Sequence, residues 1–178
     1  LIVERFSIGV IVERRPAKSR WQKHLWRVVD VLPGRPATPP WTVLHEADGI
    51  TRYYAGTTDL VVYAKETEAL VHNLGAAMPA VWVVLRAREG AAGLDLLLAT
   101  VDAGEAQAHA DTGDDLVEMV AMPEAVRGWL APFVAAHHVE RPKYKRKRER
   151  ADPEALAAGR LPGRHPGGKR GGGNDGHG

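Results

Sequence analysis

The chain contains no cysteine among its 178 residues. That removes disulfides, thiolate zinc sites, cysteine-ligated iron–sulfur clusters and cysteine nucleophiles together. Serine is almost as scarce. Ser7 and Ser19 are the only two, and neither stands in the strand–turn–helix setting of a nucleophile elbow. Phosphate cradles are missing too: there is no GxxxxGK[ST], no GxGxxG between a strand and a helix, and the glycine-rich end has neither a strand before it nor a helix after it. No window approaches the ~18 consecutive apolar residues of a membrane-crossing helix, and the first residues lack the apolar stretch and small-residue cleavage site of a secretory leader. A soluble, cytoplasmic protein with no membrane span is expected. The sequence opens at Leu1 already inside a strand pattern, so a missing leader carries little weight.

What the chain does have is unevenly distributed charge. The total is +2, with a pI near 9.0. From Glu140 onward there are eleven Lys and Arg against five acids, leaving thirteen bases against seventeen acids in residues 1–139. An acidic body therefore carries a basic end. Its densest part is "RPKYKRKRER", with seven cations between Arg141 and Arg150.

Periodicity divides the body into recognisable pieces. "RFSIGVIVERR" reads as a first strand with Phe6, Ile8, Val10 and Val12 on one side, stopped by Pro16. "HLWRVVDVL", apolar on both faces, suits a buried central strand, and four prolines make "PGRPATPP" a loop. "WTVLHE" and "ITRYYAG" read as short strands around the turn residues Asp48 and Gly49, which suggests an antiparallel meander. "DLVVYAKETEALVHNLG" begins extended and turns helical, with Leu70, Val71 and Leu74 on one face and Gly75 at its end. "AVWVVLRAREGAAGLDLLLATV" is a hairpin with a charged tip. Asp102 and Glu105 then cap a short helix ending before Gly113. After the strand "DLVEMVAM", the positions Val126, Trp129, Leu130, Phe133 and Val134 form one helical stripe, with Pro132 expected to bend it.

The expected fold class is α+β: a single domain over residues 1–139 with a mainly antiparallel sheet and about three helices. Residues 140–158 form a basic segment that becomes partly helical on binding. Residues 159–178 form a disordered tail rich in Gly, Arg and His, with too few apolar side chains to offset the entropy of ordering.

Three patterns bear on function. The basic run offers Lys143, Tyr144, Lys145, Arg146, Lys147, Arg148 and Arg150 as partner contacts. Clustered cations attract phosphates, acidic proteins and anionic membrane surfaces alike, or simply keep a tail solvated. Protein docking is favoured over nucleic acid because a nucleic-acid domain carries its positive field on the fold as well, and this body is acidic. A second candidate surface, "ERRPAKSRWQKHLWR", mixes Arg14, Arg15 and Lys18 with Trp21 and Trp26 and could hold an acidic or planar ligand through cation–π contacts. The plainer reading puts Trp26 in the core and the bases on a solvated connection. Metal chemistry has little support: the histidines form no HxxxH pair with a helical glutamate, His137 and His138 sit favourably at a helix C-terminus, and Asp114 with Asp115 reads as a polar turn rather than a cation site. No catalytic residue, metal site or cofactor is expected.

The ordered segments "SIGVIVERRPAKSRWQKHLWRVVDVLPG", "PPWTVLHEADGITRYYAG", "AVWVVLR" and "MPEAVRGWLAPFVAAHHVERPKYKRKR" resemble a proteobacterial family of unknown function, from about Phe6 to Leu156. Genes of that family commonly lie close to those of molybdenum-dependent formate dehydrogenase. Some members are labelled molybdopterin-guanine dinucleotide biosynthesis protein A. The resemblance implies a non-enzymatic accessory role in assembly, maturation or regulation of that dehydrogenase, one of whose subunits would be the partner. The label implies an alternative, a nucleotidyltransferase binding GTP phosphates through Arg14, Arg15 and Lys18 and magnesium through Asp114 and Asp115. Against it, "ERRPAKSR" follows the first strand where such enzymes place a glycine-rich loop. A nucleic-acid-binding module is the remaining alternative.

Overall fold

The computed structural model describes residues 1–88 and 93–142. A compact unit spans Leu1–Glu140. Its elements run β1 (Val3–Pro16), β2 (His24–Pro33), β3 (Thr42–Ala47), β4 (Ile50–Tyr63), α1 (Thr67–Leu74), β5 (Ala80–Ala87), β6 (Leu94–Thr100), α2 (Ala103–Asp111), β7 (Asp115–Ala121) and α3 (Glu124–His137). The strands form two antiparallel sheets, ordered β2-β1-β4-β3 and β6-β5-β7. With three helices alongside, this is the α+β class that the periodicities predict.

The long β1–β4 pair is the spine of the first sheet, in register from Val3 opposite Tyr63 to Arg14 opposite Thr51. Alternation then sorts the side chains. Ile8, Val10 and Val12 of β1 enter one core with Val28 and Val31 of β2 and Leu60 and Val62 of β4. Val81, Val83 and Leu85 of β5 reach the same core from the second sheet, and Leu70 of α1 and Val126, Leu130, Phe133 and Val134 of α3 complete it. The α3 stripe is therefore buried as its spacing predicts, and Trp129 packs at its margin.

Two expectations need correction. β2 is an edge strand, not a central one. Only Val28 and Val31 of it are buried, while Leu25, Val29 and Leu32 are exposed beside a bulge opposite Ile11 and Val12. Nor are the strands after the proline loop a meander of short pieces. β4 runs 14 residues without a break, because Gly56, at φ 137°, absorbs a register shift against β1 and lets pairing resume. The Asp48–Gly49 turn is a two-residue hairpin loop with both φ positive, 52° and 77°, the geometry that matches strand twist.

Polar side chains tie the elements together. Asp102 accepts from the backbone N–H groups of Gly104 and Glu105 at the start of α2, at 2.7 and 3.4 Å, as its capping order predicts. Asn73, near the end of α1, donates to the carbonyls of Ala80 (2.9 Å) and Val101 (2.8 Å) and accepts from the Ala80 N–H (2.9 Å). This one buried amide joins α1 to the start of β5 and to the β6–α2 junction. His138 Nδ1 lies 3.0 Å from Thr67 Oγ1, linking the end of α3 to the start of α1, and the His137 ring meets that of Phe133 at a tilt, with centroids 4.7 Å apart.

Candidate docking hairpin

The β1–β2 hairpin concentrates what the rest of the body lacks. Residues 14–29 hold Arg14, Arg15, Lys18, Arg20, Lys23 and Arg27 and no acid; the remainder of residues 1–139 has seven bases against seventeen acids. Pairing of Arg15 with Leu25 and Pro16 with His24 brings these cations together, and the Ala17 N–H donates to the Lys23 carbonyl at 3.1 Å to close the tip. Lys18, Arg20 and Lys23 are exposed there and make no ion pair among the described residues. Trp21 stands beside them with 94% of its surface in solvent.

Below the tip is an aromatic cluster. Arg14 lies opposite Trp26 on β2 and Thr51 on β4, and Val12, two residues earlier on the same face, lies opposite Tyr53. The Trp26, Trp41 and Tyr53 rings meet with centroids 5.8–6.0 Å apart, two of the three pairs edge-on, an arrangement aromatic quadrupoles favour. Trp41 reaches the cluster by adopting φ 63°, a left-handed conformation that is costly for a bulky residue. Its N–H donates to the Tyr54 carbonyl at 2.5 Å, and the next residue, Thr42, bonds back to the Pro39 carbonyl through its hydroxyl.

The Arg14 guanidinium lies 5.9 Å from the Trp26 ring centroid and 5.5 Å from that of Tyr53. Two ring faces hold it. Among the described residues it makes no hydrogen bond or ion pair. Arg15 differs: with Arg52 it binds Glu13, a carboxylate only 2% exposed. The Arg52 hydrogen bond first, and that of Arg15 second, hold the Glu13 carboxyl below the usual carboxylate range.

The structure thus brings Arg14 and Trp26 together, leaves Lys18 and Trp21 open at the tip, and commits Arg15 to an internal pair. Tyr53 and Trp41 are partners the sequence does not single out, because each comes from a segment far along the chain. The candidates Lys143, Tyr144, Lys145, Arg146, Lys147, Arg148 and Arg150 lie outside the described residues.

Asp115 is also committed internally. Arg86 donates to both its oxygens, at 2.6 and 3.0 Å, and His109 Nδ1 lies 2.9 Å from the second. The Arg86 hydrogen bonds, then that of His109, hold the Asp115 carboxyl below its ordinary value, and the side chain is wholly shielded from solvent. Among the described residues no group of three or more His, Asp or Glu is placed to hold a metal ion. A groove of about 360 Å³ between β4, α1 and α2 is lined by Tyr63, Leu70, Val101, Glu66, Asp102 and Glu105, and its Asp102 carboxylate is the one that caps α2.

Residues 7–147 match the model of a family described as a protein of unknown function, DUF3305. The chain belongs to the DUF3305 family. The match takes in the hairpin from Ser7 on, its aromatic cluster and the first part of the basic run. No curated protein and no solved structure gives a significant match to this DUF3305 chain. Among its described residues no helix is long and apolar enough to cross a membrane.

Proposed function

We propose that this DUF3305 chain is a non-enzymatic accessory protein that docks on an acidic surface of a partner protein, in the assembly, maturation or regulation of a molybdenum-dependent formate dehydrogenase. One observation carries the docking part: the end of the hairpin, residues 14–29, has six cations and no acid and carries a bare tryptophan, on a body otherwise rich in acids. Segregated charge of this kind steers association and fixes orientation, and tryptophan and arginine are among the residue types enriched where interfaces gain most of their energy. The basic run from Lys143 to Arg150 supplies a second cationic arm. The dehydrogenase as partner follows from the family resemblance of the quoted segments.

The test is complementation in the native host. A strain lacking this gene is given the full chain, the chain with Lys143, Lys145, Arg146, Lys147, Arg148 and Arg150 replaced by alanine, or the chain with Lys18, Arg20 and Trp21 replaced. Formate dehydrogenase activity is expected to fall in the deletion strain and in both variants while the chain's abundance holds. Full activity in all strains would remove the reading. Calorimetry offers a second check: heat on adding GTP with magnesium to the full chain would favour the nucleotidyltransferase instead.

A further inference from the structure

We infer that Arg14 is the carboxylate-binding centre of the hairpin, and that what it takes is a short acidic segment of a partner protein with Trp21 seated in that partner as an anchor. This rests on the docking reading and names the chemistry of its contact.

A guanidinium offers a planar fork of donors matched to a carboxylate, and ring stacking leaves that fork intact while restricting its motion. Arg14 is in this state. Its Cζ lies over the Trp26 and Tyr53 rings, and among the described residues no acid uses its donors. The contrast with its neighbours is internal: Arg15 and Arg52 converge on Glu13, and Arg35 on Asp59. The strain accepted at Trp41 is spent on completing the ring cluster beside Arg14, and backbone strain of this kind gathers at functional positions.

Protein is favoured over nucleic acid on two grounds. A nucleic-acid strand carries a charge on every nucleotide, and beyond the hairpin it would run onto a body with ten more acids than bases, seventeen against seven. A short acidic peptide segment ends where the basic patch ends. Base stacking also needs free ring faces, whereas Trp26, Trp41 and Tyr53 pack on one another and Arg14 lies over Trp26 and Tyr53. Among the described residues Trp21 is the one exposed tryptophan.

The experiment uses the full chain labelled with nitrogen-15, titrated with a short glutamate-rich peptide containing one leucine and, separately, with a single-stranded oligonucleotide of equal charge. The Arg14 Nε–H and Trp21 indole N–H resonances report the site. The indole N–H of Trp129, bonded to Glu4 at 3.1 Å, is the control, since Glu4 and Arg14 are separated by roughly 30 Å of extended β1. The peptide is expected to move the first two signals and not the third, and to bind about tenfold more weakly to Arg14→Lys, which keeps the charge and loses the fork. Trp21→Ala, at an exposed tip, is expected to weaken binding without disturbing the fold. Peptide binding that is equal in wild type and Arg14→Lys would overturn the assignment of Arg14 while leaving docking intact. Tighter binding of the oligonucleotide at the same resonances would replace the acidic segment by nucleic acid. No response to the peptide would overturn the inference, and complementation would still judge docking independently.

Discussion

Arg14 and Arg86 occupy equivalent positions and have opposite surroundings. Each lies near the end of a strand, β1 or β5, just before a hairpin turn. Across the sheet from Arg86 stand Asp115 on β7 and Asp95 on β6; Asp115 accepts two hydrogen bonds from Arg86, and His109 meets the same carboxylate. Across from Arg14 stand Trp26 and Thr51. Arg86 is neutralised where it sits; Arg14 is held by rings and keeps its donors. Charge closed by its own sheet serves the fold, and charge held open by aromatic packing is available to a partner.

The largest expected effect tests the closed side. Asp115→Leu leaves Arg86 and His109 facing an apolar side chain, and thermal unfolding should show the greatest loss of Tm in this group, with cellular function lost only as far as the protein unfolds. The same node sets an acid response. Its folded-state pKa lies below the unfolded value, as does that of Glu13, so these groups contribute stability above the ordinary carboxylate range and lose it as pH falls through their folded values. Denaturant unfolding should therefore be insensitive to these two groups from pH 6 to 8 and weaken below about pH 4, and Asp115→Asn should flatten that acid slope.

Glu13→Ala opens a closed charge next to Arg14 on the same strand. It frees two half-exposed arginines, so the cost should be modest, about 1 kcal/mol in urea titration, and Arg15 of the hairpin and Arg52 of the adjoining β4 become open cations. Partner affinity should hold or rise. Arg14→Ala removes the stacked cation at a cost of about 0.5–1 kcal/mol and should lower partner affinity far more than its effect on folding explains. Trp21→Ala is the extreme case: stability should change by less than about 0.5 kcal/mol, and docking should fail. A variant at the tip that unfolds the protein, or a variant at Asp115 that spares the fold and abolishes docking, would break the division between closed and open charge.

The sequence makes legible whatever depends on local spacing. The α3 stripe, the Asp102 cap, the Asp48–Gly49 turn and the β5–β6 hairpin each rest on residues a few positions apart, and each forms where its pattern places it. What depends on long-range pairing stays hidden. β2 reads as a buried strand because both faces carry apolar residues, yet β1 pairs with β4 on its other side and leaves β2 at the edge. β4 reads as interrupted because Gly56 and Asp59 break its apolar run; in the sheet Gly56 takes the bulge, and Asp59 pairs with Ser7 and Arg35. Asn73 looks like an ordinary polar residue late in a helix, and only the later approach of β5 and Val101 gives its amide three bonds. The hairpin was half visible: Arg14, Lys18, Trp21 and Trp26 are neighbours in sequence, whereas Tyr53 and Trp41, which turn Arg14 into a held fork, are supplied by the fold.

The most direct measurement places a photoreactive side chain at Gln22, next to Trp21 on the exposed tip, and another at Ala108 on the exposed face of α2, in the full chain expressed in its host. A light-dependent adduct with a formate dehydrogenase subunit is expected from position 22, lost on Arg14→Ala, and none from position 108. Adducts from position 108 with position 22 silent would contradict it, because the partner would then be meeting the acidic body and not the basic hairpin.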